Sequence, residues 1–391
     1  KREEVISADK NLKDSIQFYR YLQFVFFEQW NDLKSYSKTK GRKIIGDIPF
    51  YVGYDSSDVW ANSKAFQFDK EGKPSFVSGV PPDYFSATGQ LWGSPVYEWE
   101  EEQCFEWWLK SLQHLLRVAD MIRIDHFRAV DSFWKIPYKV ALSEKTAVKG
   151  VWSKGPGKEL FRRIKEYLVQ SKLLEENSQL PFIAEDLGFL DPLYATVKSY
   201  PESFSKDKKF KVDKKFREMI RSKHLGLGLA LDHVTGEYST RKGVGLVLEE
   251  FSIPYMLVLQ FGMSGDFRSR PENVPSNCVY YSGTHDNDTI KGWYDSSDKS
   301  TIDNYLSNSE EFQKTKSLIN GVLEMLYSSN ACLAGVPFQD LLDLGSEARM
   351  NLPSNMKEGG WWTWRATKSQ LDYSKIANLL SNLAKKYRRF C

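Results

Sequence analysis

Between residues 15 and 40, Phe18, Tyr21, Leu22, Val25, Phe26, Trp30 and Leu33 recur at helical spacing, and Gly41 stops the helix they predict. Next comes Lys43-Ile44-Ile45-Gly46-Asp47-Ile48-Pro49, a short apolar run with an acid at its end, which reads as a strand covered on both faces. A second helical pattern over 103–117 (Phe105, Trp108, Leu112, Leu115, Leu116) leads into the strand Met121-Ile122-Arg123-Ile124-Asp125. The chain then alternates again: a helix near 158–170, strands at 181–186, 256–261 and 278–283, a helical region over 301–327, a short strand near Cys332 and a helix over 374–387. Strands separated by helices predict βαβ units and a parallel sheet. No internal repeat at a fixed period is visible.

Two stretches break the alternation. Residues 50–99 are rich in Gly, Pro, Ser and aromatic residues without a sustained period, too long for an ordinary connection, and are expected to form an inserted loop-rich unit over a site. Residues 191–243 are charged, with Lys206, Lys208, Lys209, Lys211, Lys214 and Lys215, and read as a surface insertion. A phosphate-binding role for those lysines is a second choice.

Charge removes some partner classes. Lys and Arg total 54 against 51 Asp and Glu, scattered along the chain, so neither nucleic acid nor an anionic membrane is an expected partner. No apolar run reaches membrane-spanning length. The four cysteines (Cys104, Cys278, Cys332, Cys391) lack metal-ligand spacing and suit a reducing compartment. Together with the absence of a secretory leader this predicts the cytoplasm, or the plastid stroma if a transit peptide preceded Lys1. The 12 Trp, 20 Tyr and 24 Phe raise carbohydrate as a ligand class, because apolar sugar faces stack on rings.

The candidate chemistry lies at strand ends. Arg123 and Asp125 project to one side of their strand, and a guanidinium beside a carboxylate keeps it ionised and oriented. On its own the pair reads equally well as a structural ion pair. Asp47 on its own could simply cap the following turn, the commoner role for such an Asp. Yet four separated strands end in Asp47, Asp125, Glu185 and Asp286, matching the rule that α/β barrels build sites at the carboxyl ends of strands. Carboxylates, Arg123, His285 and aromatic walls suit glycosidic-bond chemistry, with its positively charged transition state. Phosphoryl transfer would call for a phosphate-cradling loop, and none is present.

These motifs are similar to those of the 4-α-glucanotransferases called amylomaltases or disproportionating enzymes, of the α-amylase-like barrel superfamily. The likeness runs in order through Gly46-Asp47-Ile48-Pro49, Asp58-Val59-Trp60-Ala61, the stretch 79–93, Arg123-Ile124-Asp125-His126-Phe127-Arg128, Ile183-Ala184-Glu185-Asp186-Leu187-Gly188, Gly283-Thr284-His285-Asp286-Asn287-Asp288, and Gln339-Asp340-Leu341-Leu342 through Glu347-Ala348-Arg349-Met350-Asn351. The resemblance implies a (β/α)8 TIM barrel and a retaining double displacement without metal or cofactor, acting on maltooligosaccharides and α-1,4-glucans. It implies Asp125 as nucleophile, Glu185 as general acid and then base, and Asp286 as transition-state stabiliser. Arg123 and His285 would orient these groups, with Asp47, Asp83, Gln90 and Asn351 near the substrate and Tyr84, Phe85 and Trp92 in an aromatic loop over the cleft.

The family's N-terminal portion, with its first two barrel strands, has no counterpart in this chain, so an incomplete barrel is expected. An α-glucan hydrolase and a non-catalytic glucan-binding relative are the alternatives. The oligomeric state stays open.

Overall fold

A computed structural model describes residues 10–82, 88–187, 230–231, 238–239, 244–353, 360–371 and 374–389. Its centre is a parallel sheet of β1 (Ile45–Ile48), β4 (Met121–Ile124), β7 (Phe182–Ala184), β10 (Tyr255–Val258), β11 (Cys278–Tyr281) and β12 (Leu333–Gly335), hydrogen-bonded in that spatial order. Each strand is short, and the inner strands β7, β10 and β11 are mostly buried, as apolar strands covered on both faces must be, whereas the outer strands β1 and β12 are more exposed. This alternation in sequence order is an arc of a (β/α)8 barrel, the expected fold class, with β1 and β12 as its outer strands among the described residues.

Helices return the chain between strands. The helix α1 spans Lys10–Thr39, α2 Glu102–Val118 and α3 Gly157–Gln170. On α2, Cys104, Phe105, Trp107, Trp108 and Leu112 are buried, and α3 buries Leu160, Phe161, Ile164 and Leu168; both faces join one core with Ile122, Ile124 and Phe182. A second core under β11 holds Tyr280, Ile290, Val322, Leu323 and Leu326. The predicted helix over 301–327 is three helices, Ser300–Ser307, Glu310–Thr315 and Leu318–Ser328. Ser309 and Ser317 cap the second and third through their side chains, and Lys316 adopts a left-handed conformation between them, so local caps overrode a continuous apolar period.

The helix α1 departs from the simple amphipathic picture. It is pinned near its end, where Trp30 Nε1 donates to the Val118 carbonyl (2.9 Å) and Lys34 Nζ to that of Arg117 (2.9 Å), the lysine being a cation at the C-terminus of α2 that suits its dipole. Its Phe18, Tyr21, Leu22 and Phe26 remain exposed.

A second sheet was not legible in the sequence. The strands β2 (Phe76–Val80), β3 (Gln90–Pro95), β5 (Ser132–Pro137) and β6 (Val151–Lys154) pair antiparallel in the order β3-β2-β5-β6. Two come from the connection after β1 and two from the connection after β4, where a plain loop was expected. Connections that leave strand ends therefore fuse into one platform on the carboxyl side of the barrel. Gly79 makes that possible, since a Cβ there would collide with the Gln90 carbonyl of β3 and the Ile136 side chain of β5. Of the 191–243 stretch the described part is a ribbon, β8 (Ala230–Leu231) paired with β9 (Tyr238–Ser239). The six lysines named above lie outside the described residues.

Some of the rings form a core cluster. Phe50, Phe66, Tyr97, Trp99, Trp107 and Trp108 pack on one another beneath the platform, and the Tyr97 hydroxyl, fully buried, donates to the Phe50 carbonyl (2.7 Å).

Candidate active site

Register sets the site. In the ladder Asp47 lies opposite Arg123, and Ile124 opposite Ala184, so the next residues along, Asp125 and Glu185, leave adjoining strands at one level. The ladder continues past the strand ends: the Asp125 N–H donates to the Ile48 carbonyl (3.0 Å) and the Glu185 N–H to that of Ile124 (3.0 Å). Adjoining strands are about 4.8 Å apart, which brings the two acids within reach of one bond.

Arg123 ties the first acids together. Its Nη1 donates to both oxygens of Asp47 (2.8 and 2.7 Å) and its Nη2 to Asp125 Oδ1 (2.8 Å). The guanidinium side chain is 12% exposed while Asp47 and Asp125 are 53% and 43% exposed, so a buried cation fixes two carboxylates that face open space. This fork needs the planar, multi-donor geometry of arginine.

Glu185 is held differently. The His126 N–H donates to its Oε2 (2.8 Å) and the Leu187 N–H to its Oε1 (3.0 Å). His126 can aim its amide at the neighbouring strand because its backbone is left-handed (φ 48°, ψ 46°), a conformation that is uncommon for a residue with a side chain and gathers at functional sites. Burial, with the Asp125 charge added, pushes Glu185 up to about 7, against the pull of Arg123. Burial also pushes the His126 imidazole down to about 4, leaving the ring neutral at pH 7.

The third cluster is built at the end of β11. Asn351 Nδ2 donates to Asp286 Oδ1 (2.6 Å), His285 Nε2 lies 3.5 Å from the same oxygen, and Arg349 Nη2 donates to the Asp286 carbonyl (2.6 Å). The Asn351 N–H returns to the His285 carbonyl (3.0 Å). A cavity of about 580 Å³ is lined by Asp47 and Arg123 on one side and His285, Arg349 and Trp362 on the other. Asp125, Glu185 and Asp286 are not among its lining residues; Asp125 connects to it through Arg123 and Asp286 through His285.

Of the platform residues, Trp92 sits edge to face on His126 (centroids 4.7 Å apart) and donates from Nε1 to Gln90 Oε1 (3.2 Å), so both approach the nucleophile loop. Asp83, Tyr84 and Phe85 lie outside the described residues.

Sequence reasoning assigned no role to His126, Arg349 or Trp362. His126 and Arg349 sit inside quoted motifs, but their contributions run through a backbone amide and through a backbone carbonyl, which residue type does not reveal. Trp362 stands 5.1 Å from His285, centroid to centroid, half-exposed and with φ 66°.

The chain matches the sequence model of a family described as 4-alpha-glucanotransferase over residues 1–202 and 239–370. A 4-alpha-glucanotransferase of Clostridium butyricum is 36% identical over 398 residues, covering 100% of this chain and 67% of that protein. The chloroplastic/amyloplastic 4-alpha-glucanotransferase of Solanum tuberosum is 37% identical over 374 residues, covering 94% of this chain and 52% of that protein. Among solved structures, the amylomaltase of Streptococcus agalactiae in complex with acarbose superposes with a TM-score of 0.76 at 29% identity, over 100% of this chain and 66% of that one. The chain thus spans between about half and two thirds of the length of these relatives.

Proposed function

Because the chain belongs to the 4-alpha-glucanotransferase family, we propose that its site transfers α-1,4-glucan segments between maltooligosaccharides by a retaining double displacement. Asp125, held by Arg123, attacks the anomeric carbon and becomes the covalent ester. Glu185, protonated near neutral pH, gives its proton to the departing glycosidic oxygen. It then takes the proton from the incoming 4-hydroxyl as that oxygen bonds to the anomeric carbon and displaces Asp125, which breaks the ester and restores both acids.

Asp286, oriented by Asn351 and His285, binds the hydroxyls of the distorted ring and stabilises its positive charge, while Asp47 and Gln90 lie near the sugar. The described part of residues 50–99, with Trp92, covers the cleft and favours a sugar acceptor over water. The break in the family match between residues 202 and 239 supports reading the charged stretch as an insertion. Among the described residues no helix is long and apolar enough to cross a membrane, and a cytoplasmic or plastid-stromal setting is part of the proposal.

The observation that carries this reading is the common level of Asp125 and Glu185 on adjoining strands, with Glu185 near 7. Retaining enzymes place their carboxyl groups about 5–5.5 Å apart, close to the strand spacing, whereas inverting ones need a wider gap for water. The test is incubation of the 391-residue chain with maltotriose. Glucose together with a ladder of longer maltooligosaccharides is expected; only shorter sugars would mark a hydrolase, and no products would refute an autonomous site.

A further inference from the structure

The loop that carries His285 and Asp286 starts at the end of β11 and finishes at the N-terminus of the helix Ile290–Ser296. Both ends meet a single carboxylate from a third element. Asp340, in the short helix Phe338–Leu341, is 2% exposed. Its Oδ2 accepts from Ser282 Oγ (2.8 Å) at one end, and its Oδ1 accepts from the Ile290 N–H (2.8 Å) at the other.

Between these anchors the turn bonds to itself. Asn287 Oδ1 accepts from the Thr284 N–H and Oγ1 (2.9 Å each), and the Asp286 N–H donates to Thr284 Oγ1 (3.3 Å). Contacts from other elements complete the frame: Gln260 Nε2 donates to the Asp288 carbonyl (2.8 Å), Ser346 Oγ to Asp288 Oδ2 (2.7 Å), and Arg349 and Asn351 hold Asp286 and the His285 carbonyl near the middle of the turn. The internal bonds set the shape of the turn, but only bonds to other elements set where it stands over the sheet. Of those, the Asp340 pair spans both ends, and it is charge-assisted and sealed from water, where such bonds are strongest and costliest to lose.

We propose that Asp340 is a positioning residue: by clamping Ser282 and Ile290 it holds the Thr284–Asp288 turn, and with it His285 and Asp286, at the height at which His285 shares a cavity with Asp47 and Arg123. The assignment rests on the proposed transferase reading for its catalytic consequence, but its structural content is independent of turnover. Asp340 borders the cavity, but both its carboxylate oxygens are committed to Ser282 and Ile290 rather than to Asp125, Glu185 or Asp286. Its presence inside the Gln339-Asp340-Leu341-Leu342 motif acquires a physical reason: a buried acid there serves two donors 58 and 50 residues upstream.

Amide hydrogen exchange on the full chain, read peptide by peptide, tests this without requiring activity. In Asp340→Ala, exchange across 283–290 is expected to rise about tenfold or more, while 255–258 and 278–281 stay protected, because loss of buried partners opens the turn locally. Asp340→Asn keeps an acceptor for Ile290 and can donate to Ser282, so it should restore near-native protection. In parallel, the kcat for maltotriose should fall at least about tenfold in Asp340→Ala and recover in Asp340→Asn.

Unchanged exchange in 283–290, or a rise spread evenly over the chain, would overturn the proposal. Should Asp340→Ala fail to fold, Ser282→Ala removes one of the two anchors, and native protection of the turn in that variant would overturn it equally. If the wild-type chain makes no product from maltotriose, the transferase reading fails while the exchange result still decides the clamp.

Discussion

Asn351 Nδ2 and Asp286 Oδ1 lie 2.6 Å apart across 65 residues of chain, which makes Asn351 the group that fixes where the Asp286 carboxylate points. Asn351→Ala should leave Asp286 in place but free to rotate, lowering kcat/KM for maltotriose by about 10- to 100-fold, the scale of one hydrogen bond to a charged group. Asn351→Asp would set a second carboxylate against the first and should lose more. Steady-state kinetics of the two variants check this, and equal, near-native values would show that Asp286 is oriented by other means.

The Arg123 fork gives a second expectation. One guanidinium serves Asp47 and Asp125 at once, and a lysine ammonium on a flexible stem cannot reproduce three donors in a plane. Arg123→Lys is therefore expected to lower kcat by about 100-fold or more, because precise placement of a nucleophile commonly decides rates of that size. Charge at the site is conserved in this variant, so a rate within a few fold of wild type would mean that geometry at Asp125 does not depend on the fork.

Much of this site could be read from the chain because barrel strands write their chemistry in order: Asp47, Asp125, Glu185 and Asp286 stand at the ends of apolar runs, with Arg123 two residues before Asp125, and the sheet brings such ends together. What stayed illegible depends on long-range pairing. The segments Phe76–Val80 and Gln90–Pro95 contain Gly and Pro and read as loop, yet they become strands because Ser132–Pro137, from a different connection, offers its edge. Likewise Leu259–Met263 continues an apolar run but turns into helix directly after β10, which no local pattern announces. The left-handed His126 that supports Glu185 is set by the neighbouring strand rather than by its own preference.

Trp92 divides two roles cleanly. Its ring is 39% exposed yet edge-on to His126, so it can meet a long glucan while bracing the turn beneath. Trp92→Ala should raise the KM for long maltooligosaccharides several fold more than for maltotriose, with the melting temperature within about 4 °C, as for a loss near 1 kcal/mol or less. Parallel losses of stability and activity would instead make the ring a packing element.

Glu185 carries a prediction in two directions. Held at about 7, it is the proton donor only below that value, so kcat/KM should fall as pH rises through about 7. Its stability consequence follows from linkage. The folded chain binds this proton more tightly than the unfolded chain, whose glutamate titrates near 4.5. The favourable contribution is thus complete below about 4.5 and is lost as pH climbs through about 7. Above that, an ionised Glu185 costs on the order of 3 kcal/mol relative to a neutral side chain. Glu185→Gln removes this cost, so the variant should melt higher than wild type at pH 8 and match it near pH 4.5, while its turnover falls by about 10²–10⁴-fold. Thermal melts of both proteins across that range decide the point. A constant difference between them would show that the carboxyl does not titrate near neutrality, and the acid role assigned to it would lose its physical basis.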